Sequence, residues 1–140
     1  MKTAFMFLVI VLAMLACGCT VASPPDTAPA LPDLIGTWTG PMLGYDEGTG
    51  FTDYPHLTMA MVIEEQHGRL FSGHMLFTSN GTKWTTGIAG AIGRDNRTLT
   101  LVEKDGGYCS GEVLATNEIE LTYMQDGSPY SIAVDFLKRG

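Results

Sequence analysis

From residue 35 onward, apolar and polar residues alternate in short runs that turn residues separate, and no segment keeps a helical period. Alternation places every second side chain on one face of a strand. The pattern predicts strands over 35–42, 56–65, 70–78, 83–93, 98–104, 108–114, 118–125 and 130–138. Asn80-Gly81 gives the strongest hairpin signal, because both residues tolerate the positive φ of a type I′ turn.

Eight strands with short connections predict an up-and-down meander, in which each strand pairs with its predecessor. Such a meander tends to close, since closure removes the two exposed edges. We therefore expect an all-β fold, an eight-stranded antiparallel up-and-down barrel, with a β-sandwich as the alternative. A barrel of this size is either filled by side chains or holds one small ligand.

The apolar positions of the strands predict which side chains point into the barrel. In the last strand, Ile132, Val134 and Phe136 are expected to face inward, and the opposite face carries Ser131, Ala133 and Asp135. The other expected inward residues are Leu57, Met59, Met61, Ile63, Met75, Phe77, Ile88, Leu101 and Leu121.

Residues 1–19 have the features of an export signal. Lys2 precedes an uncharged apolar run from residue 4 to 16, which is shorter than the ~20 residues that a transmembrane helix needs. The run ends at Leu15-Ala16-Cys17-Gly18-Cys19, which resembles the lipobox of prokaryotic lipoproteins. In that family the cysteine carries a diacylglycerol and becomes the N-terminus, so the resemblance implies lipidation at Cys19 or Cys17. A plain secretory cleavage and an uncleaved anchor are the alternatives.

Residues 20–33 contain four prolines and predict a semi-rigid tether, followed by a β-barrel domain over 34–140. We therefore expect the domain to lie outside the cytoplasm, attached to the cell membrane through the N-terminal lipid. Once Lys2 is removed with the signal, the chain has seven basic and 15 acidic residues and therefore a net charge of −8. This charge argues against nucleic acid as a partner, because phosphates require a basic surface.

The start of the first strand resembles two families of ligand-binding barrels. Gly36-Thr37-Trp38 resembles the G-x-W signature of lipocalins, and residues 34–38 are similar to the start of avidins. Both belong to the calycin group of eight-stranded barrels that bind small molecules inside. The resemblance implies that Trp38 closes the narrow end of the barrel and that Arg139, directly after the last strand, covers it. It implies no particular ligand.

Two places are candidates for ligand binding. One is the barrel interior, where flexible methionines can pack around varied apolar guests or can simply fill a solid core. The other is the long connection over 43–55, which fits either a lid or a solvated connector. The candidate ligand-binding residues are Trp38, Tyr45, Phe51, Tyr54, Met59, Met61, Met75, Phe77 and Trp84.

The sequence contains no arrangement that indicates catalysis, a metal site or a cofactor. His56, His67 and His74 lack ligand spacing, and no nucleophile motif is present. Cys109 is the one cysteine after residue 19 and is expected to be a buried, inert thiol, although Cys19 could pair with it if Cys17 is lipidated. Two functions follow: a barrel that binds a small apolar ligand, or a non-enzymatic interaction or inhibitor module with a solid barrel that binds a protein partner through its loops.

Overall fold

A computed structural model describes residues 29–140, and the predictions for the signal, for Cys17 and Cys19 and for most of the tether concern residues outside this range. The described chain forms ten strands: β1 (Gly36–Gly40), β2 (Met42–Asp46), β3 (Gly50–Thr52), β4 (Leu57–His67), β5 (Leu70–Ser79), β6 (Thr82–Ile92), β7 (Thr98–Glu103), β8 (Tyr108–Ala115), β9 (Glu118–Gln125) and β10 (Ser131–Arg139). No helix in this part of the chain is long and apolar enough to cross a membrane.

The strands form one closed antiparallel barrel, which confirms the predicted fold class and excludes the sandwich. From β5 to β10 each strand pairs with its predecessor, and β1 pairs with both β4 and β10. β1 and β2 are two halves of one bent strand that is interrupted at Pro41, since β2 continues the pairing with β10. With β1 and β2 counted as one, the barrel therefore has eight strands. β3 is an additional short strand that pairs with β2.

The connection over 43–55, predicted as a long loop, instead contains a β-hairpin. β2 and β3 pair through Tyr45 and Phe51, and the turn between them uses Gly48 and Gly50, both with φ of 82°. Glycine adopts this positive φ without the steric cost of a Cβ. The prediction was wrong because the strands have only five and three residues, too few for a visible alternation.

The Asn80-Gly81 turn between β5 and β6 has the predicted geometry. The φ angles of the two residues are 49° and 80°, as a type I′ turn requires. The turn sets the register in which Phe77 lies opposite Trp84, so that both side chains reach the same end of the barrel.

One end of the barrel is closed by packed side chains. Trp38 is fully buried, and its indole Nε1 donates a hydrogen bond of 2.9 Å to the carbonyl oxygen of Leu34. The Arg139 guanidinium lies 4.5 Å from the centre of the Trp38 ring, as the calycin resemblance implies. Around this contact pack other buried residues, namely Met61, Ile63, Phe71, Ile92, Leu99, Leu101, Ile119, Leu121 and Leu137.

The segment before β1 lies across this closed end. The side chain of Asn96 donates a hydrogen bond to the carbonyl oxygen of Pro29, and that of Gln66 donates one to the carbonyl oxygen of Pro32. Arg139 donates to the carbonyl oxygen of Asp33. Residues 29–33 are thus held against the barrel at the end opposite the Asn80-Gly81 turn.

The predicted orientation of β10 was wrong. Ala133, Asp135 and Leu137 are buried, whereas Ile132 and Phe136 are 47% and 40% exposed. Val134 lies on the same outward face as Ile132 and Phe136. The reason is the register with β1: Trp38 is opposite Arg139, so every second residue back from Arg139 points inward. Both faces of β10 are partly apolar, and alternation alone could not decide between them.

Candidate functional site

The barrel end opposite Trp38 is not filled and contains a cavity of about 320 Å³. Its walls come from β2, the segment before β4, β4 to β7, the β7–β8 turn, β9 and β10. The lining residues are Met42, Asp46, Tyr54, Leu57, Met59, Met75, Phe77, Trp84, Thr86, Glu103, Asp105, Gly106, Tyr123, Gln125, Ser131, Ala133 and Asp135. We call this space the mouth cavity.

The mouth cavity exists because the inward residues of β10 are small at this end. Ser131 and Ala133 line the cavity, whereas Leu137 fills the same face nearer the closed end. On β6 the buried Thr86 takes a position between Trp84 and Ile88 where a larger apolar side chain would occupy more of the space. The barrel is therefore solid at one end and hollow at the other.

Aromatic side chains form much of the cavity wall. The rings of Phe77 and Trp84 stack with centroids 5.4 Å apart and an interplanar angle of 19°. Tyr54, which has a positive φ of 47°, turns its ring inward, and its hydroxyl donates a hydrogen bond of 2.9 Å to Asp46. Burial, together with the hydrogen bond to Asp46, raises the pKa of Tyr54 to about 12. The Tyr54 hydroxyl therefore stays protonated and hydrogen-bonded at physiological pH, and the side chain is a neutral part of the cavity wall.

Two carboxyl groups, those of Glu103 and Asp135, also line the cavity, and we call them the carboxyl pair. Asp135 is only 3% exposed, and burial, with a contribution from the charge of Glu103, raises its pKa to about 7. Burial likewise raises the pKa of Glu103 to about 7, although a weak hydrogen bond from the Cys109 thiol, 3.9 Å away, acts in the opposite direction. Both groups therefore hold protons well above the pH range of ordinary carboxyls.

Cys109 is fully buried, and it forms no disulfide with any residue over 29–140. Burial and the negative charges of Glu103 and Asp135 raise the pKa of its thiol. Burial of the Tyr123 side chain raises the pKa of its hydroxyl, and the negative charge of Glu103 contributes in the same direction. The interior is thus a desolvated environment with several neighbouring acidic groups, and both factors favour the protonated form of its weak acids.

The structure places the predicted ligand-binding residues in three locations. Trp38 and Met61 belong to the packed closed end and do not line the cavity. Tyr45 and Phe51 are exposed on the outside of the β2–β3 hairpin. The residues that do line the mouth cavity are Tyr54, Met59, Met75, Phe77 and Trp84.

Sequence reasoning missed the carboxyl pair. Glu103 follows Leu99 and Leu101 at the same alternating positions, which would have placed it inward. Asp135 was assigned to the outer face because it alternates with Ile132, Val134 and Phe136, which were expected to face inward. The available signal was its spacing of two and four residues from Leu137 and Arg139, which places all three side chains on the same face of the strand.

Tyr45 and Phe51 belong to an exposed apolar surface that covers β3, β2 and β10. Tyr45 is paired with both Phe51 and Ile132, and cross-strand partners share a face. Phe51 is 70% exposed. We call this surface the outer patch, formed by Leu43, Tyr45, Phe51, Ile132 and Phe136.

No family model matches the chain, and no curated protein is significantly similar to it in sequence. Among residues 29–140 there is also no group of three or more His, Cys, Asp or Glu side chains that could hold a metal ion.

Proposed function

We propose that this protein is an exported, lipid-anchored binding module, similar to calycins, whose barrel takes up a small ligand with apolar surface. The observation that carries the proposal is the mouth cavity, whose 320 Å³ lies at the lower end of the volume range of small-molecule pockets. Its lining combines methionine and aromatic side chains with a few polar groups, which is typical of ligand sites. Export and anchoring are supported by the signal-like residues 1–19 with Cys17 and Cys19.

We also propose that the protein binds its ligand without transforming it. The Cys109 thiol is a candidate nucleophile, but its raised pKa keeps it protonated and therefore weakly nucleophilic. The carboxyl pair can offer a guest charge and hydrogen bonds. No histidine lies beside the pair among the described residues of the cavity wall, so the wall provides no imidazole for proton transfer.

Native mass spectrometry of the full-length protein, purified gently from its own host, tests the ligand. We expect a reproducible added mass that disappears on denaturation. The variant Ala133→Leu places a larger side chain in the cavity and should abolish the added mass. The matched control is Ala89→Leu, the same change at an exposed position of β6, which should retain it. A bare mass in the wild type, or an added mass that survives Ala133→Leu, would refute a ligand in the mouth cavity.

The outer patch favours a second candidate function, contact with a partner protein that presents a complementary apolar surface. Exposed aromatic residues that are contiguous on one face are typical of interaction sites. A photo-crosslinking residue in place of Phe51 should capture one discrete partner in the host, whereas the same residue in place of Val102, on the outer face of β7 and 57% exposed, should not. Equal capture from both positions would count against a specific partner.

A further inference from the structure

The mouth cavity is acidic, and its wall contains no positive charge. Asp46, Glu103, Asp105 and Asp135 all line it, while no Lys, Arg or His does so. The ion pairs among the described residues involve other carboxylates, all of them outside the cavity. An anionic guest would therefore meet repulsion, and a cationic guest would meet unpaired negative charge.

Asp135 adds a second and independent observation. Its side chain is 97% buried and faces the cavity, and its Oδ1 has no hydrogen-bond partner within the described part of the chain. Buried polar atoms in folded proteins are almost always paired, because an unpaired one loses its hydration without compensation. An unpaired carboxyl oxygen that faces a cavity is the arrangement that a bound donor would complete.

The aromatic wall suits the same guest. The faces of tryptophan, tyrosine and phenylalanine rings attract ammonium groups through their quadrupoles. Trp84 stacks on Phe77, and the rings of Tyr54 and Tyr123 also line the cavity, so a guest cation would lie among aromatic rings and carboxyl groups. Met59 and Met75 provide adaptable apolar surface for the rest of the guest.

We propose that the mouth cavity binds a small organic cation, a protonated amine that carries an apolar or aromatic body. The ammonium group donates hydrogen bonds to Asp135 and Glu103, and the body packs along Met59, Phe77 and Trp84. This inference rests on the proposed ligand-binding function and names its ligand class. The small volume of the cavity favours a compact amine over a long lipid.

Binding of such a cation is coupled to release of protons. In the empty cavity burial keeps the carboxyl pair partly protonated near neutral pH, and an ammonium group favours the ionised form. Affinity should therefore fall as the pH is lowered from 8 to 5. The titratable groups that face this pair are Asp46 on β2, Tyr54 before β4, Asp105 in the β7–β8 turn, Cys109 on β8 and Tyr123 on β9. The lining residues of β4, β5 and β6 are not titratable.

Isothermal titration calorimetry with three probes of one shape tests the ligand class. The probes are 2-phenylethylammonium, the neutral 2-phenylethanol and the anionic 3-phenylpropanoate, each titrated into the full-length protein at pH 7.5. We expect the ammonium probe to bind at least tenfold more tightly than the alcohol and the carboxylate not to bind. Asp135→Asn and Glu103→Gln should each weaken the ammonium probe about tenfold and leave the alcohol unchanged. The control Asp126→Asn alters an exposed carboxyl outside the cavity and should change nothing.

The outcomes separate the two proposals. If the alcohol or the carboxylate binds as tightly as the ammonium probe, or if the ammonium preference survives both Asp135→Asn and Glu103→Gln, the cation inference is wrong while ligand binding stands. If none of the three probes binds and the native mass is bare, both proposals fail. Calcium chloride that displaces the ammonium probe would overturn the organic cation in favour of a metal ion. Two separate carboxyl variants keep the test decisive if one of them does not fold.

Discussion

Replacement of Asp135 by Asn should remove a pH-dependent loss of stability. Asp135 is buried without a counter-charge, and its pKa rises from 3.8 to about 7 on folding. Below about pH 4 both the folded and the unfolded chains are protonated here, so the carboxyl contributes no pH dependence. Between pH 4 and 7 the unfolded chain releases the proton first, and the free energy of unfolding of the wild type falls.

The size of this effect follows from the same values. The pKa increase is a little over three, and each pKa unit corresponds to about 1.4 kcal/mol. The ligand-free wild type should therefore lose about 4 kcal/mol between pH 4 and pH 8 relative to Asp135→Asn. The amide side chain has its own cost for an unmade hydrogen bond, but that cost does not depend on pH and drops out of the comparison.

Urea denaturation of both proteins at several values between pH 4 and pH 8, followed by circular dichroism, measures this difference. The protein is first refolded without ligand, because a bound cation would stabilise the ionised carboxyl. Asp126→Asn serves as the matched control and should run parallel to the wild type, since Asp126 is exposed. Parallel curves for Asp135→Asn and the wild type would refute the buried, unpaired state of this carboxyl.

Three further predictions concern the scaffold. Arg139→Gln removes the cation above the Trp38 ring and should destabilise the fold by about 1–2 kcal/mol, seen as a lower melting temperature; an unchanged value would contradict the contact. Gly40→Ala should destabilise strongly in urea, because its Cβ would lie 1.7 Å from a backbone carbonyl oxygen of β10. Gly87→Ala should be tolerated, because its Cβ would make only an ordinary contact of 3.9 Å with the Lys104 side chain, and equal effects of the two changes would contradict this packing. The Cys109 peptide should remain unmodified by a maleimide at pH 8 and react after unfolding, as peptide mass mapping would show; rapid labelling of the folded protein would disprove its burial.

Most of the barrel could be predicted because its turns are defined by short-range chemistry. Asn80-Gly81 fixes one hairpin locally, and Asp105-Gly106-Gly107 marks another turn between clearly alternating strands. The buried Trp38 and its contact with Arg139 also agree with what the calycin resemblance implied. Such turns keep in the folded chain the geometry that the local sequence favours, because the antiparallel strand pairing continues directly from each turn.

The candidate site was harder to predict because it depends on long-range register. The inward face of β10 is decided by the closing pair Trp38 and Arg139, which are about a hundred residues apart in sequence. That register brings Asp135 inward and moves Ile132 outward, where it joins the outer patch. The pairing of β3 with β2 likewise separates Phe51 from Tyr54, which are close in sequence but lie outside and inside the barrel.

The segment over 29–33 that crosses the closed end has a consequence for orientation. An anchor that precedes this segment would hold the barrel by its base, so that the mouth cavity opens away from the bilayer. Guests would then enter from the surrounding medium instead of partitioning from the lipid phase. If the guest is the proposed amine, its uptake would scale with the concentration of free amine in that medium.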